Sequence, residues 1–395
     1  MRDVVISGTG MTAFGKHRER GIKSLVAEAV SAALADACVA EAAGRIGMIY
    51  YANVASGLLQ GQESVRGQHA LTETPLCGIP LVNVENACAS GATALNQAWL
   101  SVASGQTDMA LAVGAEKLLI EDKARAFAAL SSAMDVERLD DIRAELGAAG
   151  HGSIFMDVYA RFARWYMDRS AATAEDFALV TVKNHEHGRS NPKAQYGGPM
   201  TVEEVLAARR IAGPLTLPMC APMSDGAAAA VVTTPALAAR CGADAVRLLA
   251  TALASARPGS YGELVPEAAQ RAYAIAGAGP GDIDVVECHD AAAPAELIVL
   301  EELGLCPPGG APAMLRDGQT RIGGSLPVNP SGGLVSKGHP LGATGLGQVA
   351  ELADQLRGRA GDRQVTGARL ALAENAGGYR GPDAAVAAVT ILGSM

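Results

Sequence analysis

Three short segments pair a thiol or an imidazole with small residues at what read as the ends of secondary-structure elements. In 85-ENACASGATAL-95, Cys88 falls between the end of a strand and the start of a helix. A helix N-terminus offers free N–H groups and the positive end of the backbone dipole, and both favour a thiolate. A thiol there becomes a better nucleophile near neutral pH. Ala87, Ala89, Ser90 and Gly91 leave room for a substrate. A free cysteine is also commonly a small buried hydrophobe, so the segment alone leaves both readings open. In 287-ECHDAAAPAEL-297, His289 and Asp290 follow an apolar strand and precede a helix. That is the edge at which α/β proteins place ligand-binding groups. A loop histidine with its hydrogen bonds satisfied is the alternative. In 327-PVNPSGGLVSKGHPLGATG-345, His339 stands among glycines just before a helix. Glycine permits close backbone approach or positive φ, and a neutral imidazole can take a proton from a thiol. A helix-entry loop that merely includes a histidine is the other reading.

A fourth segment, 374-ENAGGYRG-381, offers the N–H groups of Gly377 and Gly378 to an oxyanion, or is a plain turn between two closing strands. Other chemistries lack their patterns. Lys337 is followed by Gly338, so the Walker phosphate loop is absent, and Gly8-Thr9-Gly10 lacks the third glycine of a dinucleotide fingerprint. No HExxH occurs, and His185 and His187 read as a solvated loop stretch, so no metal site is expected.

These segments need elements to hold them. Val4–Ile6, Ile46–Val54, Leu81–Val84 and Met109–Val113 read as strands, with helices over Ser24–Ala40, Ser24 as N-cap, and over Ser90–Ser104. Residues 120–220 are more charged and carry the aromatic group Phe155, Tyr159, Phe162, Trp165 and Tyr166, which reads as a helical insertion or lid. Strands then return at Ala227–Thr233, Val246–Ala250, Ile283–Cys288, Arg369–Ala373 and Ala384–Leu392. Helices are expected at Pro266–Ala276, Ala295–Leu303 and Ala343–Leu356. The alternation predicts an α/β chain with a mostly parallel sheet covered by helices on both sides.

Composition sets the outer limits. The chain has 395 residues, 49% hydrophobic and 18% charged, which describes a well-filled core. Its net charge of −9 argues against nucleic acid as a partner. Seven cysteines without a CxxC pair argue against a disulfide framework, and a cytoplasmic location is the expectation. No apolar run reaches the ~18 residues that a membrane span needs.

Taken together, the segments resemble the thiolase superfamily, in particular the branch of sterol-carrier-protein-type and archaeal thiolases. The likeness rests on 7-SGTGMTAFGK-16, 86-NACASGATAL-95, 219-MCAPMSDGAAAAVV-232, 288-CHDAAAPAEL-297, 327-PVNPSGGLVSKGHPLGATG-345 and 374-ENAGG-378, in that order and across most of the chain. The resemblance implies a five-layered αβαβα fold of two similar α/β halves, residues 1–245 and 246–395, with the loop domain inserted at about 120–220. It implies that Cys88 is acylated, that His339 activates it and lines an oxyanion site, and that His289 polarises the thioester carbonyl. The N–H groups of Cys88 and Gly377 would form a second oxyanion hole. The substrate would be a coenzyme A thioester, with no permanently bound cofactor. A homodimer or tetramer is implied, and some members of the branch work with a small OB-fold partner. Cys220 and Cys288 are expected to be structural.

The sequence departs from the family where a second, acid–base cysteine is usual. The C-terminal position reads Asn375 in 375-NAG-377, and the alternative position in the histidine motif reads Ala291. Neither an amide nor a methyl group can take a proton from a carbon acid. His151 in the covering loop, Tyr379 or a partner's side chain are the candidates to replace it. Ala292, where the motif has phenylalanine, together with an aromatic content of 4%, predicts a roomy pocket for an acyl chain larger than acetyl. The reading is a thiolase-like acyltransferase. A retro-aldolase on 3-hydroxyacyl-CoA, or a non-catalytic acyl-CoA-binding subunit, are the alternatives.

Overall fold

The structure is a computed structural model that describes residues 1–39, 43–147, 152–259 and 261–395. Its strands are β1 (Val5–Met11), β2 (Met48–Ala52), β3 (Leu81–Val84), β4 (Met109–Lys117), β5 (Arg210–Ala212), β6 (Leu215–Thr216), β7 (Asp225–Thr233), β8 (Val246–Ser255), β9 (Val285–Glu287), β10 (Leu370–Gly377) and β11 (Val386–Gly393). Nine of them form one sheet in the order β3-β2-β4-β7-β1-β8-β11-β10-β9, while β5 and β6 pair with each other.

That order contains a repeat. In the first part β2 runs parallel to β4, β4 antiparallel to β7, and β7 antiparallel to β1. In the second, β9 runs parallel to β10, β10 antiparallel to β11, and β11 antiparallel to β8. The two sets meet back to back through β1 and β8, at Val5↔Arg247 and Ile6↔Val246. The expectation of a mostly parallel sheet is therefore corrected. β11 returns beside β10 after a short connection, and β7 returns beside β4 after the long insertion, and both returns are antiparallel. Only connections that cross over a helix, such as β2 to β4, give parallel neighbours.

Three cores follow from the helices on this sheet. The helix Ile22–Asp36 lays Leu25, Val26, Ala29 and Val30 against one face of the first set. The helices Ser90–Ala103 and Leu341–Leu356 share a core with residues of both sets, among them Ala112 and Ala371. The helices Leu264–Ala276 and Ala293–Glu302 cover the far face of the second set. Helix, first strand set, helix pair, second strand set and helix make five layers, the α/β architecture implied by the resemblance. The helix Ile22–Asp36 is preceded by Gly21, so Ser24 is not its cap; the Ser24 hydroxyl instead accepts from Arg20 Nε at 3.1 Å.

Between β4 and β7 the chain is helical, with helices Lys123–Ser131, Leu139–Leu146, Ile154–Met167, Ala174–Arg189 and Val202–Ala207. Local signals start several of them. Asp122 accepts from Arg125 N, and Thr173 with Asp176 and Thr201 with Glu204 form capping boxes. His185 and His187 lie within the helix Ala174–Arg189 and are buried, not solvated. His187 is held between Asn329 O at 3.0 Å and Ile322 N at 3.3 Å. Lys183 and Asn184 beside them are buried too, bonding to Val328 O and to Asp290 and Glu296, polarity that a local reading takes for solvent. Among the described residues no helix is long and apolar enough to cross a membrane.

Candidate active site

Cys88 sits on a tight turn between β3 and the helix Ser90–Ala103. Ala87 has φ +47°, a conformation that non-glycine residues adopt at a cost and that concentrates at functional sites. The turn is pinned by Ser90 Oγ, which donates to Ala87 O at 2.6 Å and accepts from Asn86 N at 2.8 Å.

His339 reaches Cys88 because two helices approach through glycine. A Cβ on Gly91 would lie 2.7 Å from Gly342 O, and one on Gly345 would lie 2.6 Å from Ala92 N. Gly114 on β4 would meet Gly342 O at 2.0 Å. The helix Ser90–Ala103 that follows Cys88 and the helix that follows His339 therefore touch backbone to backbone. Glu116, buried at the end of β4, fixes the second helix by accepting from Gly342 N at 3.1 Å. The backbone N–H of His339 donates to Ser224 Oγ at 3.1 Å.

His289 arrives on the loop after β9. Its Nε2 lies 3.3 Å from His339 Nε2, and one ligand atom from each of Cys88, His289 and His339 lies within 4.8 Å of the others. Asp290, its sequence neighbour, turns away from the cavity. It accepts from Leu334 N at 2.6 Å and Asn184 Nδ2 at 2.8 Å, which ties the His289 loop to the glycine-rich segment that carries His339. Behind them Lys183 pairs with Glu296 at 3.0 Å and Lys337 with Glu287 at 3.2 Å, all four buried.

The network assigns the protons. Thr344 Oγ1 donates to Pro340 O at 3.1 Å, as helical threonines do, so it accepts at 2.7 Å from His339 Nδ1–H. The His339 Nε2 lone pair then faces His289 and the thiol. Burial lowers His289 to about 4. Burial and, less, His289 hold His339 well below the ordinary histidine value. Both rings are neutral at pH 7. Burial also pushes the Cys88 thiol up to about 12, although N–H groups of Gly378 and of Cys88 itself pull it down, and the Glu116 and Glu85 carboxylates add a smaller rise. The thiolate expected from the helix end is thus not pre-formed, because loss of water outweighs one helix dipole and two hydrogen bonds.

The other predicted positions separate. Gly377 packs on the Cys88 turn, where a Cβ would lie 3.0 Å from Cys88 N and 2.4 Å from Asn86 O. The N–H that reaches the sulfur is that of Gly378, one residue on. Ala291 lines the cavity. Asn375 does not; its Nδ2 donates to Gln348 on the helix Leu341–Leu356 at 3.1 Å. His151 lies outside the described residues. Tyr379 lines the cavity. Cys288 is buried, and Asn329 Nδ2 donates to its sulfur at 3.4 Å. Cys220, expected in the core, is half-buried and lines the cavity, because the short helix before it ends at the cavity wall.

The cavity holds about 860 Å³. The insertion supplies much of its apolar wall through Phe155, Tyr159, Phe162 and Trp165, while Tyr166 turns to hydrogen-bond Glu301. Two lining residues escaped the sequence reading. His185 lines it with an unpartnered Nε2, and so does Glu374, whose Oε1 is unpartnered. His185 belongs to no motif, and Glu374 opens the segment 374-ENAGG-378, where the glycines and Asn375 drew the reading; burial in a cavity leaves no local signature.

A thiol that surrenders its proton to a neutral imidazole, beside a second imidazole and backbone N–H donors, is equipped to attack a thioester carbonyl. The donor types would also suit zinc, which would occupy the nucleophile and its base together. Comparison with known proteins agrees with the thioester chemistry. Residues 4–204 match the family model "Thiolase, N-terminal domain", and residues 224–394 match "Thiolase C-terminal domain-like". An acetyl-CoA acetyltransferase of Methanothermobacter thermautotrophicus is 39% identical over 96% of this chain and 98% of its own. The benzoylsuccinyl-CoA thiolase subunit BbsB of Thauera aromatica is 36% identical over 92% of this chain and 91% of its own. The solved structure of an Ltp2-ChsH2(DUF35) aldolase superposes with a TM-score of 0.81 at 27% identity, over 99% of this chain and 98% of that one. The chain therefore belongs to the thiolase family of acyltransferases.

Proposed function

We propose that the protein transfers acyl groups from coenzyme A thioesters through an acyl-Cys88 intermediate, with a bulky or ring-bearing acyl chain as its substrate. The observation that carries this reading is the buried Cys88–His289–His339 cluster, opening on a cavity of about 860 Å³. As Cys88 Sγ bonds to the carbonyl carbon, its proton passes to His339 Nε2. The tetrahedral oxyanion accepts from backbone N–H groups of the Cys88 turn and the Gly377–Gly378 turn. The C–S bond to coenzyme A then breaks, and the leaving thiolate takes the proton from His339. His289 polarises the carbonyl of the incoming thioester. The volume exceeds what an acetyl group needs, and a relative named for benzoylsuccinyl-CoA supports a ring-bearing chain.

Intact-protein mass after mixing with a panel of acyl-CoA and 3-ketoacyl-CoA esters tests this. An acyl adduct is expected on the wild type and none on Cys88→Ala. Absence of an adduct with every ester that binds would overturn it.

The likeness to an aldolase favours a second reading, retro-aldol cleavage of a 3-hydroxyacyl-CoA. That route needs no acyl-enzyme, so Cys88→Ala would spare it. The same structure and the subunit in the name of BbsB support a small partner protein that helps to admit the ester, whether a DUF35 or another OB-fold chain. A homodimer or tetramer belongs to the same proposal, and light scattering reads it directly.

A further inference from the structure

Resting on that acyl-transfer reading, the second half-reaction still needs a group to move a proton at the substrate Cα. Both positions where the family carries a thiol for this purpose are occupied by residues that cannot do it. Along β10, side chains alternate between the two faces of the sheet. Asn375 faces the helix Leu341–Leu356, while Glu374 and Ala376 line the cavity. The position of the missing thiol therefore points away, and its neighbour points in.

Glu374 is fully buried. Its Oε2 accepts from His289 N at 3.0 Å, which ties the carboxyl to the loop that carries His289 and Ala291. Its Oε1 has no hydrogen-bond partner. A buried carboxyl oxygen left unpaired in a well-packed protein calls for a ligand or a reaction. Ala291, at the other position of a missing thiol, lines the same cavity.

We propose that Glu374 is the acid–base residue of carbon–carbon bond making and breaking in this protein, in place of the thiols absent at Ala291 and Asn375. In condensation, the Glu374 carboxylate removes a proton from Cα of the second acyl-CoA. The C–H electron pair becomes an enolate, whose oxygen is stabilised by the imidazoles. The enolate carbon bonds to the carbonyl carbon of acyl-Cys88, the C–S bond breaks, and the Cys88 thiolate recovers the proton from the Glu374 acid. In cleavage Cys88 Sγ bonds to the 3-keto carbon as its proton passes to His339, the C–C bond breaks as the Glu374 acid protonates Cα, and the proton on His339 returns to the Glu374 carboxylate.

Burial raises the carboxyl to about 7 against the hydrogen bond from His289, so it exchanges protons readily near neutrality. The groups around it are Cys288 on the His289 loop, Glu302 on the helix Ala293–Glu302, and Tyr159 on the helix Ile154–Met167. Burial pushes the Glu302 carboxyl well above the usual carboxylate range, and the Tyr159 phenol far above its ordinary value.

The test is hydrogen–deuterium exchange at the methyl group of acetyl-CoA in D₂O, followed by NMR, in four proteins: wild type, Glu374→Gln, Cys88→Ala and the double variant. Gln keeps the volume of Glu and an oxygen for the His289 N–H, and acylation of Cys88 measured by mass reports whether the fold and the nucleophile survive. Glu374→Gln is expected to acylate Cys88 within about threefold of wild type, yet to lose exchange by ~10²–10⁴-fold. Exchange in Cys88→Ala should persist, and should fall as pH is lowered through about 7. Exchange that survives Glu374→Gln, or no exchange in either Cys88→Ala or the wild type, overturns the proposal. Exchange without any Cys88 adduct would overturn the acyl-enzyme and leave Glu374 standing as the base.

Discussion

Cys88 is subject to opposing effects, and burial prevails. The helix end and two N–H groups draw its proton off, but the loss of water holds the thiol near 12. On the proposed mechanism its nucleophilicity would come from proton transfer to His339 during attack, not from a standing thiolate. Alkylation of Cys88 by iodoacetamide between pH 5 and 9 tests this, read by intact mass against Cys88→Ala to subtract the exposed Cys38 and Cys77. The rate should stay low and climb with pH up to 9 without levelling near 8.5, where a free thiol is half ionised. It should also show no step near 6.5, because His289 and His339 are already neutral there. A step at 6.5 with a plateau above it would mean a thiolate–imidazolium pair and would overturn this account.

At the scale of elements, the site depends on two helices that approach more closely than side chains allow. Gly91, Gly342 and Gly345 let the helices Ser90–Ala103 and Leu341–Leu356 meet, and His339 sits on the loop immediately before the second of them. Gly345→Ala would put a methyl group 2.6 Å from Ala92 N and 3.0 Å from Ala92 Cβ. Neither contact is with a flexible side-chain end, so the helices must part. Urea unfolding should show a loss of ~1–3 kcal/mol, typical of overpacking. Acylation of Cys88 should slow at the same time, because His339 is displaced from the thiol. Loss of stability with unchanged acylation would separate the crossing from the site.

Over the whole molecule, the helical insertion and the second half of the chain close one cavity over Cys88. Ala295, on the helix Ala293–Glu302, lines it together with Trp165 from the insertion. Ala295→Phe should fill part of the volume, raising KM about tenfold for a ring-bearing acyl-CoA and leaving an acetyl ester little changed, since a single methylene in an apolar pocket gives about 10–200-fold discrimination. Steady-state kinetics with the two esters decides it. By itself the sequence determined the alternation of strands and helices, the turn at Cys88, and the glycines around His339, because these are local: each follows from the chemistry of a few adjacent residues. It also named Cys88, His289 and His339. Only the tertiary structure decided that the sheet is mixed, that His185 and His187 are buried, and that Asn375 faces away while Glu374 faces in. Strand direction depends on where a distant segment returns, and burial depends on what packs from elsewhere in the chain. The proton affinities of Cys88, His339 and Glu374 are set by the water they lose, a quantity that no stretch of sequence contains.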